Sequence, residues 1–338
     1  MTDAAGPVMS VVLATPSGYE IIRKTIDHLQ AQTVRDCLEV VIVAPSANGL
    51  EPAQAELAGF RGVQVVEVGP IRSRARAYAA GIRRATAPVV ALAEDHAFPD
   101  PDWAAALIAA HRDPWAVVGP AMRNGNPGSV VSWAEFLIAY SRWMEPVAAQ
   151  AIDHLPGHNS SYKRATLLSY GRELEALLDA ESILHWDLQA KGHRLYLEPM
   201  ARTRHMNFTR LSSWLPVELL SARMFAATRA RSARWSWPQR LLYAGAAPLI
   251  PLVRLRRIVR EVRRAGQQQV LPRALPVLVA GLAMSAAGEL AGYAFGVGDT
   301  RRRLCSRELG SSRSGASYAP GSSVRPAREI MGPSGEEE

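Results

Sequence analysis

The sequence predicts an α/β fold over residues 1–215, a mostly parallel sheet flanked by helices. A helical, basic and apolar region follows at 216–298, and a disordered tail at 299–338. Three observations carry this expectation. Short apolar runs alternate with helical periodicity from residue 8 to residue 121, the pattern of a parallel sheet covered by helices. After residue 215 the strand signals give way to arginine-rich helical sequence. From residue 299 onward Ser, Gly, Pro and charged residues dominate, a composition that cannot bury enough apolar surface to order itself.

Taken in order, residues 8–15 form an apolar strand, Pro16-Ser17-Gly18 a turn, and residues 19–32 a helix. A second strand at 38–44 runs into the breakers Pro45-Ser46-Ala47-Asn48-Gly49, and a third lies at 62–68. Residues 72–85 have helical spacing, and 89–93 read as a central, fully buried strand. Asp100-Pro101-Asp102-Trp103 supplies an Asp N-cap with Pro at the first helical position, so a helix should run to about His111. A further strand is expected at 115–121, and a helix at 181–191.

The chain has 338 residues, enough for a substantial core, and 48% hydrophobic with 21% charged residues is a globular balance. Its net charge of +8 is unevenly spread: residues 221–264 hold eleven Arg and a single acid, Glu261. Such a region suits anionic lipid or nucleic acid, but no nucleic-acid motif accompanies it, and arginines flanking apolar segments fit lipid headgroups better. Residues 241–253 are uncharged and include two prolines, and 274–298 carry one charge, Glu289. The second stretch is long enough to cross a hydrocarbon core of about 30 Å. Gly288, Gly292 and Gly296 recur at the spacing that permits close helix packing in membranes. A buried soluble helix pair is the competing reading. Cys37 and Cys305 support neither a disulfide framework nor a cysteine metal site. Met1–Pro7 lacks the features of a signal peptide, so the expected location is the cytoplasmic face of the membrane.

The stretch with most chemistry is the strand at 89–93, which ends in Glu94-Asp95-His96. Ligands of open α/β sheets gather beyond the carboxyl ends of strands. Two acids there suit a hard divalent cation, since burying unpaired charge is costly. A solvated strand-end turn is the bland alternative.

Ser10-Val11-Val12-Leu13-Ala14-Thr15, Leu29-Gln30-Ala31-Gln32-Thr33 and Glu94-Asp95-His96-Ala97-Phe98-Pro99-Asp100-Pro101-Asp102-Trp103 follow one another along the chain. Gly157-His158-Asn159-Ser160-Ser161-Tyr162-Lys163-Arg164 and a last block with Glu181, Leu184, Leu188, Gly192-His193-Arg194 and Arg204-His205 come after them. In order and spacing these blocks resemble glycosyltransferase family 2, with its GT-A fold, in a bacterial membrane-associated form. The resemblance implies a donor site lined by Thr15, Arg76, Glu94, Asp95 and Asn159. It also implies a Mg²⁺ or Mn²⁺ ion on the donor diphosphate, held by Asp95 with Glu94 beside it and by His205, which in some relatives closes the metal or the diphosphate site and could equally be a hydrogen-bonded structural histidine. A cation there would offset the charge gathering on a departing nucleoside diphosphate. His96 stands where many relatives carry another acid, and could be a metal ligand, a phosphate donor or a turn residue.

By the same resemblance Glu181, eleven residues before Gly192, is the general base of an inverting transfer. Asp179 is its near competitor, and a solvated acid at a helix N-terminus would look the same. Arg72 and Arg76 fall at i and i+4 of the helix expected at 72–85, where like charges repel and a bound anion would relieve them. Asn159 and Ser160 offer hydrogen bonds to sugar hydroxyls, although Ser160 or Ser161 could equally cap a helix. Val43-Ala44-Pro45-Ser46-Ala47 lacks the acids that relatives often use on the nucleoside, and Ala79 stands in place of a usual asparagine. The expectation is an inverting, metal-dependent transferase for a nucleotide-sugar donor and a lipid-linked or cell-surface glycan acceptor, with a noncatalytic scaffold of the same fold as the alternative.

Overall fold

A computed structural model describes residues 6–16, 18–48, 50 and 56–308. Ser17, Gly49 and most of the expected tail, 309–338, lie outside the described residues.

The strands are β1 (Met9–Ala14), β2 (Leu38–Ala44), β3 (Gly62–Glu67), β4 (Val89–Ala93), β5 (Ala97–Pro99), β6 (Val117–Asn124), β7 (Gln150–Ile152), β8 (Ser161–Lys163) and β9 (Leu195–His205). The helices of the sheet region are α1 (Tyr19–Gln30), α2 (Arg74–Arg84), α3 (Trp103–Ala110), α4 (Val130–Tyr140), α5 (Arg164–Leu168), α6 (Leu174–Leu177) and α7 (Glu181–Ala190). Beyond them come α8 (Leu211–Ser232), α9 (Trp237–Ala246), α10 (Ile250–Arg264), α11 (Leu271–Phe295) and α12 (Thr300–Glu308).

The strands form one sheet in the order β3-β2-β1-β4-β8-β6-β9-β5, with β7 also on β9. Strands β1 to β4 are parallel, whereas β8 runs antiparallel between β4 and β6, and β5 and β7 run antiparallel to β9. The long ladders, β3-β2-β1-β4 and β6-β9, are thus parallel as expected, and the sheet becomes mixed where the short strands join it. The added strands β5, β7 and β8 have three residues each, too few to show a period.

Alternation along β1, β2 and β4 splits the core in two. Val12, Val41, Val43, Val90 and Leu92 face α2, α4 and α7, while Met9, Val11, Leu13, Val40, Ile42 and Ala91 face α1 and α3. Successive strands step outward from β1 to β2 and β3, then return to pair β4 on its other side. That reversal opens a crevice beyond the carboxyl ends of β1 and β4, where ligands of such sheets bind.

Two helix starts differ from expectation. Helix α3 begins at Trp103 with Asp102 at its cap, because Asp100 pairs instead with Arg123 and Arg204. Gln32 Oε1 accepts the Ala104 N–H at 2.9 Å and does the capping from a distant segment. Helix α2 begins at Arg74 with Ser73 as its N-cap, its hydroxyl accepting the Arg76 N–H. Arg72 therefore precedes the helix, and the i, i+4 repulsion argued for Arg72 and Arg76 does not arise.

The C-terminal helices are folded onto the sheet domain. Helix α11 lies along α8 so closely that a Cβ on Gly288 would sit 2.3 Å from the Leu219 carbonyl oxygen, and one on Gly292 2.5 Å from that of Arg223. The glycine spacing thus serves a contact within the chain, while Gly296 ends the helix at φ 74°. Of the expected tail, Thr300–Glu308 is helical instead: Arg301 binds Asp179, and the buried Cys305 thiol donates to the Ile71 carbonyl. These two anchors order a segment whose composition alone would leave it loose.

Candidate active site

Strand β4 delivers Glu94 into the crevice. Its side chain is 3% exposed, and five groups surround it. Arg74 Nη1 lies 3.3 Å from Oε1, and His158 Nε2 is 3.3 Å from the same oxygen. On the other side, His96 Nε2 is 3.3 Å and His205 Nε2 3.5 Å from Oε2. The fifth neighbour, Tyr78, is one helical turn after Arg74 and donates its hydroxyl to the Ala93 carbonyl at 2.8 Å.

The imidazoles are aimed by their outer nitrogens. His96 Nδ1 faces Asp95 Oδ1 at 2.5 Å; a carboxylate only accepts, so Nδ1 carries the proton and the Nε2 lone pair points at Glu94. His205 Nδ1 faces Asn207 Oδ1 at 2.9 Å. Asn207 Nδ2 donates to Asn124 Oδ1 and to the His205 carbonyl, which identifies Oδ1 as the acceptor of the His205 Nδ1–H and turns His205 Nε2 toward Glu94. Glu94 Oε2 and His96 Nε2 are both buried and neither makes a hydrogen bond. A cation shared between them would satisfy both atoms. The ligand atoms of Glu94, His96 and His205 all lie within 4.8 Å of one another, so these residues fit a divalent metal.

The base position is reached through the loop before β8. Glu181 is the first residue of α7, and its Oε1 is 3.3 Å from His158 Nε2, the nitrogen that also contacts Glu94. Burial and the Arg74 cation lower the His158 pKa, which keeps the ring neutral. Gly157 makes the approach possible: a Cβ there would lie 2.4–2.6 Å from Cγ, Cδ and Cβ of Glu181. Asp179, the competitor, is instead held by Arg301 Nε at 2.7 Å and Nη2 at 2.6 Å.

Of the residues expected around a donor, the structure brings together Glu94, Asp95, Glu181 and His205. Asp95 stands behind His96, orienting it, and is not one of the converging ligand atoms. Thr15 is buried and closes the turn after β1 by donating to the Gly18 carbonyl at 2.6 Å. Arg76 points to solvent, because with α2 starting at Arg74 it is Arg74 that faces Glu94. Asn159 is 2% exposed at φ 63°, its backbone tied to Leu92 and to the Trp103 indole, which sets the loop, and its buried Nδ2 makes no hydrogen bond. The Ser160 hydroxyl is likewise used up internally, on the Pro156 carbonyl. Sequence reasoning assigned no role to His158 or Arg74. The signal available was a histidine beside a glycine in the loop that carried the family pattern, but nothing in the sequence set the loop's distance from Glu94.

Comparison with known proteins bears on the family pattern and the fold. The family described as glycosyl transferase family 2 matches residues 10–173. Among solved structures, the chain is similar to the mannosyltransferase PcManGT from Pyrobaculum calidifontis in complex with GDP-Man and Mn2+. The TM-score is 0.52 at 18% identity, over 85% of this chain and 88% of that one. S. aureus TarS (residues 1–349) in complex with UDP aligns with a TM-score of 0.43 at 15% identity, over 84% of this chain and 90% of the other. No curated protein matches the sequence. With the family pattern running from β1 through β8, a fold shared with that mannosyltransferase, and the crevice built at the end of β4, residues 10–173 form a glycosyltransferase family 2 region.

Proposed function

We propose that the protein is an inverting, metal-dependent transferase that moves a sugar from a nucleotide-sugar donor to a lipid-linked or cell-surface glycan acceptor at the cytoplasmic face of the membrane. The observation that carries the reading is the double contact of His158 Nε2, 3.3 Å from both Glu94 and Glu181. It brings the carboxylate of the metal cluster and a second carboxylate to one nitrogen, close enough for one to face the leaving diphosphate while the other faces the attacking hydroxyl of the same sugar.

In this reading Glu94, His96 and His205 hold the cation, Asp95 aims His96, and Arg74 adds a positive charge beside the donor phosphates. When bound, the ion stabilises the negative charge of the leaving nucleoside diphosphate. Two imidazoles in the donor set favour Mn²⁺ over Mg²⁺, which prefers oxygen ligands alone. Glu181 accepts the proton of the attacking hydroxyl, and a single positioned carboxylate is what an inverting displacement needs.

Membrane docking rests on the surface of α9, α10 and α11. Trp237 (67% exposed), Leu242 (70%), Leu252 (68%) and Val253 (68%) leave an apolar face that a soluble domain rarely shows. Residues 268–295 are long and apolar enough to cross a bilayer, yet α11 spends its glycine face on α8; interfacial contact fits both facts. The test of the donor site is a panel of sugar nucleotides titrated with and without Mn²⁺. Metal-dependent binding of one of them that is lost in Glu94→Gln supports the reading, and metal-independent binding of all of them contradicts it.

A further inference from the structure

On the far side of Asp179 from the catalytic crevice, the ends of α8 and α11 and the start of α12 enclose an open cavity of about 410 Å³. Arg231, Arg234, Arg240 and Arg301 line it, together with Trp235 and Thr228. The arginines are unevenly matched. Arg301 is bound to Asp179, and Arg231 lies 3.9 Å from the same carboxylate. Arg240 gives its Nε to the Tyr293 carbonyl, and among the described residues neither Arg240 nor Arg234 has a carboxylate within ion-pair distance. The C-terminal dipole of α8 accounts for a positive charge or two there, but not for four guanidinium groups around one cavity. Their mutual repulsion is relieved by an anion, and the guanidinium fork matches phosphate oxygens in pairs.

A second observation points the same way. Thr228 is 2% exposed, lines the cavity, and its hydroxyl has no hydrogen-bond partner. A buried hydroxyl without a partner is costly, and a phosphate oxygen in the cavity supplies one. The rim has apolar groups: Phe295, next to the lining residue Gly296, is 77% exposed, and Trp235 and Val297 line the cavity itself. A basic pocket with a greasy rim on the face proposed to meet the bilayer has the chemistry of a lipid phosphate site.

We infer that this cavity binds the phosphate headgroup of a membrane lipid, its chain lying over the exposed face of α9 and α11. The inference rests on the proposed membrane docking but not on the identity of donor or sugar. Through the Arg301–Asp179 pair, the occupied pocket sits two residues from Glu181, which would place the lipid and the base on the same rigid segment.

The test uses the full chain and flotation with phosphatidylcholine vesicles, with and without phosphatidic acid. The variant Thr228→Val/Arg234→Ala removes the free hydroxyl and the unpaired cation. It is expected to weaken phosphatidic acid-dependent binding about a hundredfold, the loss of two hydrogen bonds to a charged partner. The control Arg263→Ala, on the exposed side of α10, should cost only about fivefold, the general attraction of one arginine to an anionic surface. Equal losses in the two variants would overturn the pocket in favour of charge alone. A parallel titration with inorganic pyrophosphate distinguishes the source. Weak binding that vesicles displace agrees with a lipid headgroup; tight pyrophosphate binding untouched by vesicles overturns the lipid assignment. Mn²⁺-dependent nucleotide binding, measured on the same samples, should be unchanged in both variants, so failure of the pocket and failure of the donor site give different patterns.

Discussion

Gly157→Ala tests the link between the loop before β8 and the catalytic base. The new methyl would sit 2.6 Å from Glu181 Cβ as well as 2.4 and 2.5 Å from Cγ and Cδ. Rotating the carboxylate relieves the last two contacts but not the first, because Cβ is fixed by the backbone of α7's first turn. A normal carbon–carbon contact needs about 3.5–4.0 Å, so Glu181 and the loop must part by roughly 1 Å. Misplacing a catalytic group by about that much costs on the order of a hundredfold in rate. The overpacking itself should cost about 1–3 kcal/mol of stability, small enough for the protein to fold. The assay is nucleoside diphosphate release from the nucleotide sugar that binds with Mn²⁺, run beside a binding titration. The account predicts kcat down about a hundredfold with a much smaller change in donor affinity, since Glu94, His96 and His205 lie outside the loop and only the His158 contact to Glu94 shifts with it. Wild-type kcat in a folded Gly157→Ala protein would show that Glu181's position is immaterial and would refute the reasoning.

Other expectations follow from the same geometry. His96→Ala removes a converging ligand atom, whereas Asp95→Ala removes only the group that aims it. By isothermal titration, Mn²⁺ affinity should fall further in His96→Ala than the roughly 10–100-fold expected for loss of an orienting partner in Asp95→Ala; the reverse order would return Asp95 to direct ligation. His185 is fully buried between the Tyr162 hydroxyl and the Leu155 N–H, and burial lowers its pKa from 6.5 to about 3. Because the folded value is the depressed one, the unfolded chain binds the proton first, so stability is intact above pH 6.5 and drains as pH falls toward 3. Urea unfolding of wild type and His185→Gln between pH 7 and 4 should converge with a slope near one proton; a constant gap would contradict it. Gly292→Val, which drives a side chain into the Arg223 carbonyl 2.5 Å away, should lower Tm by several degrees or more.

Much of this was legible in the sequence. The strands at 38–44 and 89–93 and the helix beginning at Glu181 declare themselves by apolar runs and period, and they place Glu94 and Glu181 on defined element ends. What could not be read was set by contacts distant in sequence. Helix α3 starts where Gln32, seventy-two residues away from Ala104, supplies its cap. The register of α2 was displaced by the Ser73 cap, which exchanged Arg76 for Arg74 at the site. His96 and His205 meet because β5 and β9 pair antiparallel, with Ala97 opposite His205, and a three-residue strand leaves no period to detect. The helix at Thr300–Glu308 is held by Arg301 on Asp179 and Cys305 on Ile71, so its order belongs to the tertiary structure and not to its own composition.

The central claim, that Glu181 removes a proton from the nucleophile while a separate metal site holds the donor, is tested most directly by Glu181→Gln. This substitution keeps size and hydrogen bonding but removes the base. Mn²⁺-dependent binding of the nucleotide sugar should match wild type, while turnover falls by about 10²–10⁴, the usual contribution of a general base. Turnover at the wild-type rate, or loss of donor binding along with turnover, would contradict the division of labour between Glu94 and Glu181.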